Sequence, residues 1–499
     1  MNNYNNLSEI LSKNKNYRLN SKSVFNHKQV EYGVGYSGEE RFLFMLAPKG
    51  AQTLESFYGE RKLTGDYQLI IAPYTTENAA ILRTQIDWLN PHCLGLKTSA
   101  GMGDRLGLAT PGHIRAVRKT NGTIAPILAQ QSIRENLRTG RSPQQVMDDA
   151  IWGILEEKWQ DGFGADADHL KTFQDIDVCL AAGFTFFTID PGEHVNNLTE
   201  QASTQTLRKF MKDLPAEIKT AYSSLLNQTF AADQLCVTFD EPTLLKSMAK
   251  YGKAVWHVVQ MYQYLKLKAG LRPFELEVSV DETDFPTSHA EHIYIAHELK
   301  RLGVEWVSLA PRFVGRFEKG VDYIGDLSIF ETDVVGHASI ARHFGPYKLS
   351  LHSGSDKFSI YPLAAKATQG LVHLKTAGTS YLEALRTIAE IDSKFFMDIY
   401  SFSKDHYEND KISYHVSAQV PLAPEVSKGY QVSKILDDFN AREILHVTFG
   451  SVLKEKNNEG KFVFYDYLMQ ILREHPEDYA QNLEKHFWRH LRPFILENS

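Results

Sequence analysis

From about residue 91 onward, short apolar or β-branched runs that end in polar residues alternate with segments of helical periodicity. The runs are CLGLKT (93–98), TIAPILAQQ (123–131), FTFFTID (184–190), FELEVSVDE (274–282), VEWVSLAPR (304–312), KLSLHS (348–353), LVHLKT (371–376) and ILHVTFGS (444–451). Helical patterns such as SPQQVMDDAIWGILEEKW, SHAEHIYIAHELKRLG and SYLEALRTIAEID separate several of them. Eight such repeats predict an α/β fold, a (β/α)8 TIM barrel over 91–499. The rival for this rhythm is a doubly wound open sheet with a second domain. The strand ends decide in favour of the barrel, because a barrel gathers its chemistry at the C-terminal ends of its strands. Here Asp190, Asp281 with Glu282, Arg312, His352 with Asp356 and Lys357, and Lys375 follow their strands directly.

Residues 1–90 alternate runs such as ERFLFMLAP and YQLIIAPYT with turns, which predicts an N-terminal accessory α+β segment. Two long, mostly helical insertions are expected, at 195–270 between the third and fourth predicted strands and at 377–440 in the seventh βα unit. The aromatic-rich stretch WHVVQMYQYLKLKAG (256–270) is read as core packing in preference to a subunit contact, with a homo-oligomer left open.

A chain of 499 residues that is 43% hydrophobic buries a large core. Its net charge of −7 offers no broad basic surface, so a small molecule is the expected partner and nucleic acid is not. Cys93, Cys179 and Cys236 are odd in number and widely spaced, which argues against a disulfide framework or a thiolate zinc site. No apolar run is long enough to span a bilayer, and the polar start MNNYNNLSEILSKNKNYRLN has no leader-like core, so a cytoplasmic location and no membrane partner are expected. GVGYSG, Gly33 to Gly38, matches GxGxxG but precedes a strand-like run, the wrong context for a dinucleotide, and no nicotinamide is expected.

The candidate chemistry sits in five stretches. FGADADHLKT (163–172) reads first as a polar loop, yet Asp168 and His169 pair a carboxylate with an imidazole, near Asp166 and Lys171. FTIDPGEHV supplies Asp190, with Glu193 and His194 as lesser candidates, and VSVDETDFPTSHAEH supplies Asp281 and Glu282 without a basic neighbour in sequence. LSLHSGSDK offers His352, Ser353, Asp356 and Lys357. In LKTSAGMGDRLGLATPGH, Asp104, Arg105 and the backbone N–H groups of a glycine-rich turn could hold a carboxylate or hydroxyls. HExxH, Walker A and GxSxG motifs are missing from the sequence. Nitrogen and oxygen donors at strand ends point to a divalent cation, zinc, manganese, cobalt or nickel.

FGADADHLKT, FTIDPGEHV, SVDETDFPT, SLAPRFVGRFEKGVDYIGDL and LSLHSGSDKF, in this order, resemble the tagaturonate epimerase family, and the likeness runs from SAGMGDRLGLATPGH to near LHVTFGSVL. The resemblance implies metal-dependent interconversion of D-tagaturonate and D-fructuronate, with tagatose and fructose as neutral substrates of some relatives. The two ketouronates differ at a carbon β to the ketone, which enolisation does not invert. A retro-aldol cleavage followed by re-addition to the other aldehyde face does, with the enediolate stabilised by a Lewis acid. On this basis His169, Glu282 and His352 are the expected metal ligands, and Asp168, Asp190 and Asp281 the expected proton-transfer groups. Arg105, Arg312, Lys357 and Lys375 are expected cations for the substrate carboxylate, with Asp104, Ser353 and Asp356 beside them. A metal-dependent aldolase and a non-catalytic sugar-binding barrel are the alternatives.

Overall fold

The computed structural model describes residues 6–233, 235–376, 378–425 and 432–495. Five strands come first: β1 (Arg18–His27), β2 (Val30–Ser37), β3 (Glu40–Pro48), β4 (Glu60–Thr64) and β5 (Tyr67–Pro73). They form an antiparallel sheet in the order β1-β2-β3-β5-β4. Gly33 and Gly35 lie within β2, and a Cβ on Gly33 would meet the side chains of Leu7 and Leu19. They make room for packing, not for a phosphate.

The barrel strands are β6 (Ser99–Met102), β7 (Ala125–Ser132), β8 (Gly164–Leu170) and β9 (Phe186–Ile189). After the hairpin of β10 (Thr229–Ala232) and β11 (Leu235–Thr238) follow β12 (Glu275–Ser279), β13 (Ser308–Ala310), β14 (Lys348–Leu351) and β15 (Val372–Thr376). They close in the order β12-β13-β14-β15-β6-β7-β8-β9, every neighbour parallel, so the expected (β/α)8 barrel is present.

Two of the eight expected strands are other things. CLGLKT (93–98) is a turn beneath the barrel: Leu94 and Gly95 donate their N–H groups to the Glu275 carboxylate, and the strand itself starts at Ser99. ILHVTFGS (444–451) is helical, spanning the end of Phe439–Val447 and the start of Phe449–Lys454. Residues 441–449 are all buried, so the run shows no polar face and reads like a core strand. Conversely, FGADADHLKT carries β8, because Ala165 and Ala167 face outward while Asp166 and Asp168 point into the barrel. The expected insertion at 195–270 therefore lies between the fourth and fifth barrel strands. It holds short helices, the β10–β11 hairpin and the helix Glu241–Ala269, whose Tyr251, Val258, Val259, Tyr262 and Leu265 are buried within the chain. Of the insertion expected at 377–440, residues 377 and 426–431 lie outside the described residues; Thr379–Ile391 and Ser393–Asp410 are helices that follow the last barrel strand. No helix among the described residues is long and apolar enough to cross a membrane.

The barrel interior is charged, where branched aliphatic layers are usual. At the bottom, Lys348 donates to Ser99 Oγ at 2.9 Å, and burial pushes its ammonium pKa down to about 8. One layer up, the Lys375 ammonium lies 2.8 Å from Asp166, 2.7 Å from Asp168 and 2.9 Å from Glu277, and donates to Thr188 Oγ1 at 2.6 Å. All five side chains are buried. Desolvation works against every one of these charges; attraction to Lys375 keeps Asp168 and Glu277 below the usual carboxylate range, while burial and its two acidic neighbours raise Asp166 to about 7.

Outside the barrel, the C-terminal helix Pro476–Leu491 packs on helix Thr110–Arg118, where a Cβ on Gly112 would lie 2.5 Å from Leu483 Cβ and 2.8 Å from the Ala480 carbonyl oxygen. Two folding predictions follow from this geometry. Lys375→Met leaves three carboxylates without their cation and is expected to lower stability in urea titrations by about 3–5 kcal/mol. Gly112→Val forces the two helices apart and is expected to cost about 1–3 kcal/mol in the same assay.

Candidate active site

The C-terminal ends of β8, β9, β12, β14 and β15 converge on one well. Asp168 and His169 are consecutive residues, yet both reach it. The reason is a bulge: the β8–β9 register shifts between Ala167 and Leu170, and His169 takes a left-handed φ of 52°, which turns its ring inward beside Asp168. Its Nδ1 is 3.2 Å from Asp190 Oδ2 and its Nε2 is 3.8 Å from Asp168 Oδ1. Asp190 is in turn fixed by the Gly192 N–H, which donates to Oδ1 at 2.8 Å. His352 extends β14 on the opposite side. Its Nε2 contacts Glu277 Oε1 at 2.6 Å, and its Nδ1 faces Asp281 Oδ1 at 3.1 Å and Ser279 Oγ at 3.3 Å. The two imidazoles are 5.0 Å apart between ring centres.

Each ring is surrounded by carboxylates, and this sets the protonation. Burial disfavours the imidazolium of His169, but Asp168 and the bond to Asp190 outweigh it and raise the pKa to about 10. His352 behaves alike, with burial opposed by Asp281 and Glu277 and the pKa raised to about 9. Asp168 and Asp281 resist the same burial through Lys375 and His352 respectively, which hold them well below the usual carboxylate range.

Donor atoms of His169, Asp281 and His352 lie within 4.8 Å of one another, as do those of His169, Asp190 and Glu282. The three expected ligands are thus brought to one mouth, but Glu282 stands in the second group. Its carboxylate is also engaged by Arg134, at 2.7 Å from NH2. The well, about 40 Å³, is lined by Asp168, His169, Asp281, Glu282, His352, Ser353, Lys375 and Arg105 from the expected set, and it opens into an outer cavity of about 360 Å³ lined by Arg312, Phe317 and Lys319.

Several expected residues are directed elsewhere. Asp104 accepts from the N–H groups of Leu106, Gly107 and Ala109 and so shapes its own loop. Lys357 donates to the carbonyls of Glu318, Val321 and Ser355. Asp356 pairs with His486 at 2.6 Å and Arg442 at 3.1 Å, tying the loop after β14 to the C-terminal helix. Arg105 lines the well with its guanidinium spent on Glu135 at 2.7 Å and stacked 3.6 Å over Phe449. Glu193 pairs with Lys171 at 3.3 Å, and His194 stacks on His257.

Other residues at the mouth escaped the sequence reading. Lys319 is half-buried, and desolvation lowers its pKa; it donates to Ser353 Oγ at 2.7 Å. Arg134, Glu135, Gln130 and His446 complete the lining. Lys319 lies in an irregular segment with no periodicity to mark it. Glu277, by contrast, was visible in principle, since Glu275, Glu277, Ser279 and Asp281 alternate with Leu276, Val278 and Val280.

Comparison with known proteins agrees with this architecture. A family model described as UxaE, tagaturonate epimerase, matches residues 20–494. The tagaturonate/fructuronate epimerase of Thermotoga maritima is 41% identical over 478 residues, 95% of this chain and 96% of the relative. Crystal structures of the fructuronate-tagaturonate epimerase UxaE from Cohnella laeviribosi superpose closely. One complexed with glycerol has a TM-score of 0.92 at 33% identity, covering 98% of this chain and 99% of the other. The native form has a TM-score of 0.91 at 33% identity, covering 98% of both. With the match running through nearly the whole chain, including every barrel strand, the protein belongs to the tagaturonate epimerase family.

Proposed function

We propose that the protein interconverts D-tagaturonate and D-fructuronate in a reaction that depends on a divalent metal. The observation that carries this reading is the group of donor atoms on His169, Asp281 and His352 at the C-terminal mouth of the barrel. The donor chemistry fits a divalent cation with nitrogen and oxygen ligands. Glu277 on His352 and Asp190 on His169 supply the outer hydrogen bonds that orient a ligating imidazole. His169 and His352 are the residues that would hold the cation, with Asp281 or Glu282 completing the set. A divalent cation bound there supplies Lewis-acid stabilisation of the negative charge that develops as the sugar cleaves.

The rest of the reaction falls to the chain itself. Asp168 lines the well and Lys375 keeps its carboxylate ionised, so it is available to accept the β-hydroxyl proton on one face of the aldehyde. Whichever of Asp281 and Glu282 the cation leaves free enters the step protonated, delivers its proton to the new alkoxide on the other face, and exchanges roles with Asp168 in the reverse direction. The substrate carboxylate needs a cation that is not already neutralised. Lys375 is committed to three carboxylates and Arg105 to Glu135, whereas among the described residues the Arg312 guanidinium makes a 3.4 Å contact to the Asp281 carbonyl and its Nε has no partner. Arg312 and Lys319, which share the outer cavity, are assigned to the carboxylate.

Proton NMR of D-tagaturonate with metal-stripped protein, and again after a divalent metal is restored, is expected to show D-fructuronate only in the second sample and no accumulated fragments. Accumulated fragments would assign the protein as an aldolase, and no change in either sample would remove the activity. Run in parallel, tagatose tests whether the carboxylate is required. His352→Ala is expected to lose the metal and lower kcat at least ~100-fold; unchanged metal content by elemental analysis would remove His352 from the ligand set.

A further inference from the structure

Two further groups of side chains, away from the barrel mouth, bring metal-ligating atoms within 4.8 Å of one another. One of them is closed. In the group of Asp356, His486 and His490, the His490 Nε2 lone pair accepts from the Asp356 N–H at 2.9 Å and Nδ1 donates to the His486 carbonyl at 3.1 Å, so that imidazole has nothing left to offer a cation.

The other group, His289, Asp333 and His337, is built differently. Asp333 and His337 stand four residues apart on helix Leu327–Phe344 and project from one face. His289 opens the neighbouring helix, His289–Arg301. Its ring reaches across because residue 336 is glycine: a Cβ there would fall on the imidazole. Asp333 Oδ1 is 3.5 Å from His337 Nε2 and 3.7 Å from His289 Nε2. Bonds of about 2.0–2.1 Å in a tetrahedral zinc site place neighbouring ligand atoms roughly 3.4 Å apart. The side chains therefore already stand near the required separation.

The second observation is His337 itself. It is fully buried, and its Nε2 has no hydrogen-bond partner among the described residues although it points at Asp333. Its Nδ1 is 2.8 Å from His292 Nδ1, and His292 Nε2 is 2.8 Å from the Tyr347 hydroxyl. With the Nδ1 proton donated to His292, the lone pair of Nε2 is left facing the carboxylate, the arrangement by which an outer hydrogen bond fixes a ligand tautomer. Leaving a buried nitrogen unpaired is unfavourable, and a cation removes that cost.

We propose that His289, Asp333 and His337 bind a second divalent transition cation, of the zinc class, with water as the fourth ligand. The cation replaces the His289 Nε2 proton, which is otherwise directed at the Asp333 carbonyl, 3.1 Å away. It clamps the helices that follow the fifth and sixth barrel strands. The free carboxylate oxygen of Asp333 accepts from the Val314 N–H at 3.1 Å, so the same clamp steadies the segment that carries Arg312 and Lys319 into the outer cavity. The site is structural and does not rest on the activity proposed above.

The test is a cobalt titration of the metal-stripped full chain, followed by visible absorption and elemental analysis. Wild type is compared with His289→Gln and Asp333→Asn, all confirmed as folded by circular dichroism. His289 is partly exposed at a helix start, and Asp333→Asn keeps an acceptor for Val314, so both variants are expected to fold. Each variant is expected to bind one equivalent fewer than wild type, and His352→Ala to keep the equivalent that they lose. The same number of equivalents in the two variants as in wild type would overturn the proposal.

Discussion

The fold and the site both depend on keeping one ammonium group dry. Lys375 holds Asp166, Asp168 and Glu277 within 2.9 Å on the barrel axis, where burial leaves little solvent to screen their repulsion. Breaking such a cluster costs far more than making it gains, so the arrangement is a constraint on the fold before it is a source of stability. Its influence passes upward by contact. Glu277 also receives His352, and Asp168 stands beside His169, so the two mouth imidazoles are aimed by the carboxylates that Lys375 neutralises. Aliphatic layers, the usual filling of such a barrel, would leave His352 without Glu277 and His169 without Asp168, with only Asp281, Ser279 and Asp190 to orient the rings.

This charged interior also explains what the sequence reveals and what it conceals. In most sheets alternate polar residues mark the solvent face, but here they mark the axis. Glu275, Glu277 and Ser279 on β12, Lys348 and Ser350 on β14, and His373 and Lys375 on β15 keep the period of two while being buried. Those strands were legible because apolar residues intervene. On β8 the intervening residues are only alanines, so Asp166, Asp168 and His169 read as a loop. The reverse error, a strand assigned to 444–451, arises because a fully buried helix shows no polar face.

Of the site, the strand-end residues were legible and the loop residues were not. Asp190, Asp281, Glu282 and His352 follow from their places after barrel strands, since the closed topology brings every strand end to one mouth, whereas Asp168 and His169 stood out only as a carboxylate–imidazole pair in an apparent loop. Asp104, Asp356 and Lys357 follow strands as closely, yet each satisfies backbone groups or a neighbouring helix. That distinction depends on long-range contacts such as Asp356 with His486, 130 residues away. Lys319 and Arg134 are the converse: their positions in sequence are unremarkable, and only folding carries them to the cavity.

The most direct measurement is a double-mutant cycle on Lys375→Met and Glu277→Gln, read as unfolding free energy in urea. If the ammonium exists to neutralise the axial carboxylates, the double mutant is less destabilised than the sum of the single mutants, by about 1–3 kcal/mol. Additivity within about 0.5 kcal/mol would mean that the two charges do not depend on each other, and would contradict the account of how this barrel holds its mouth in place.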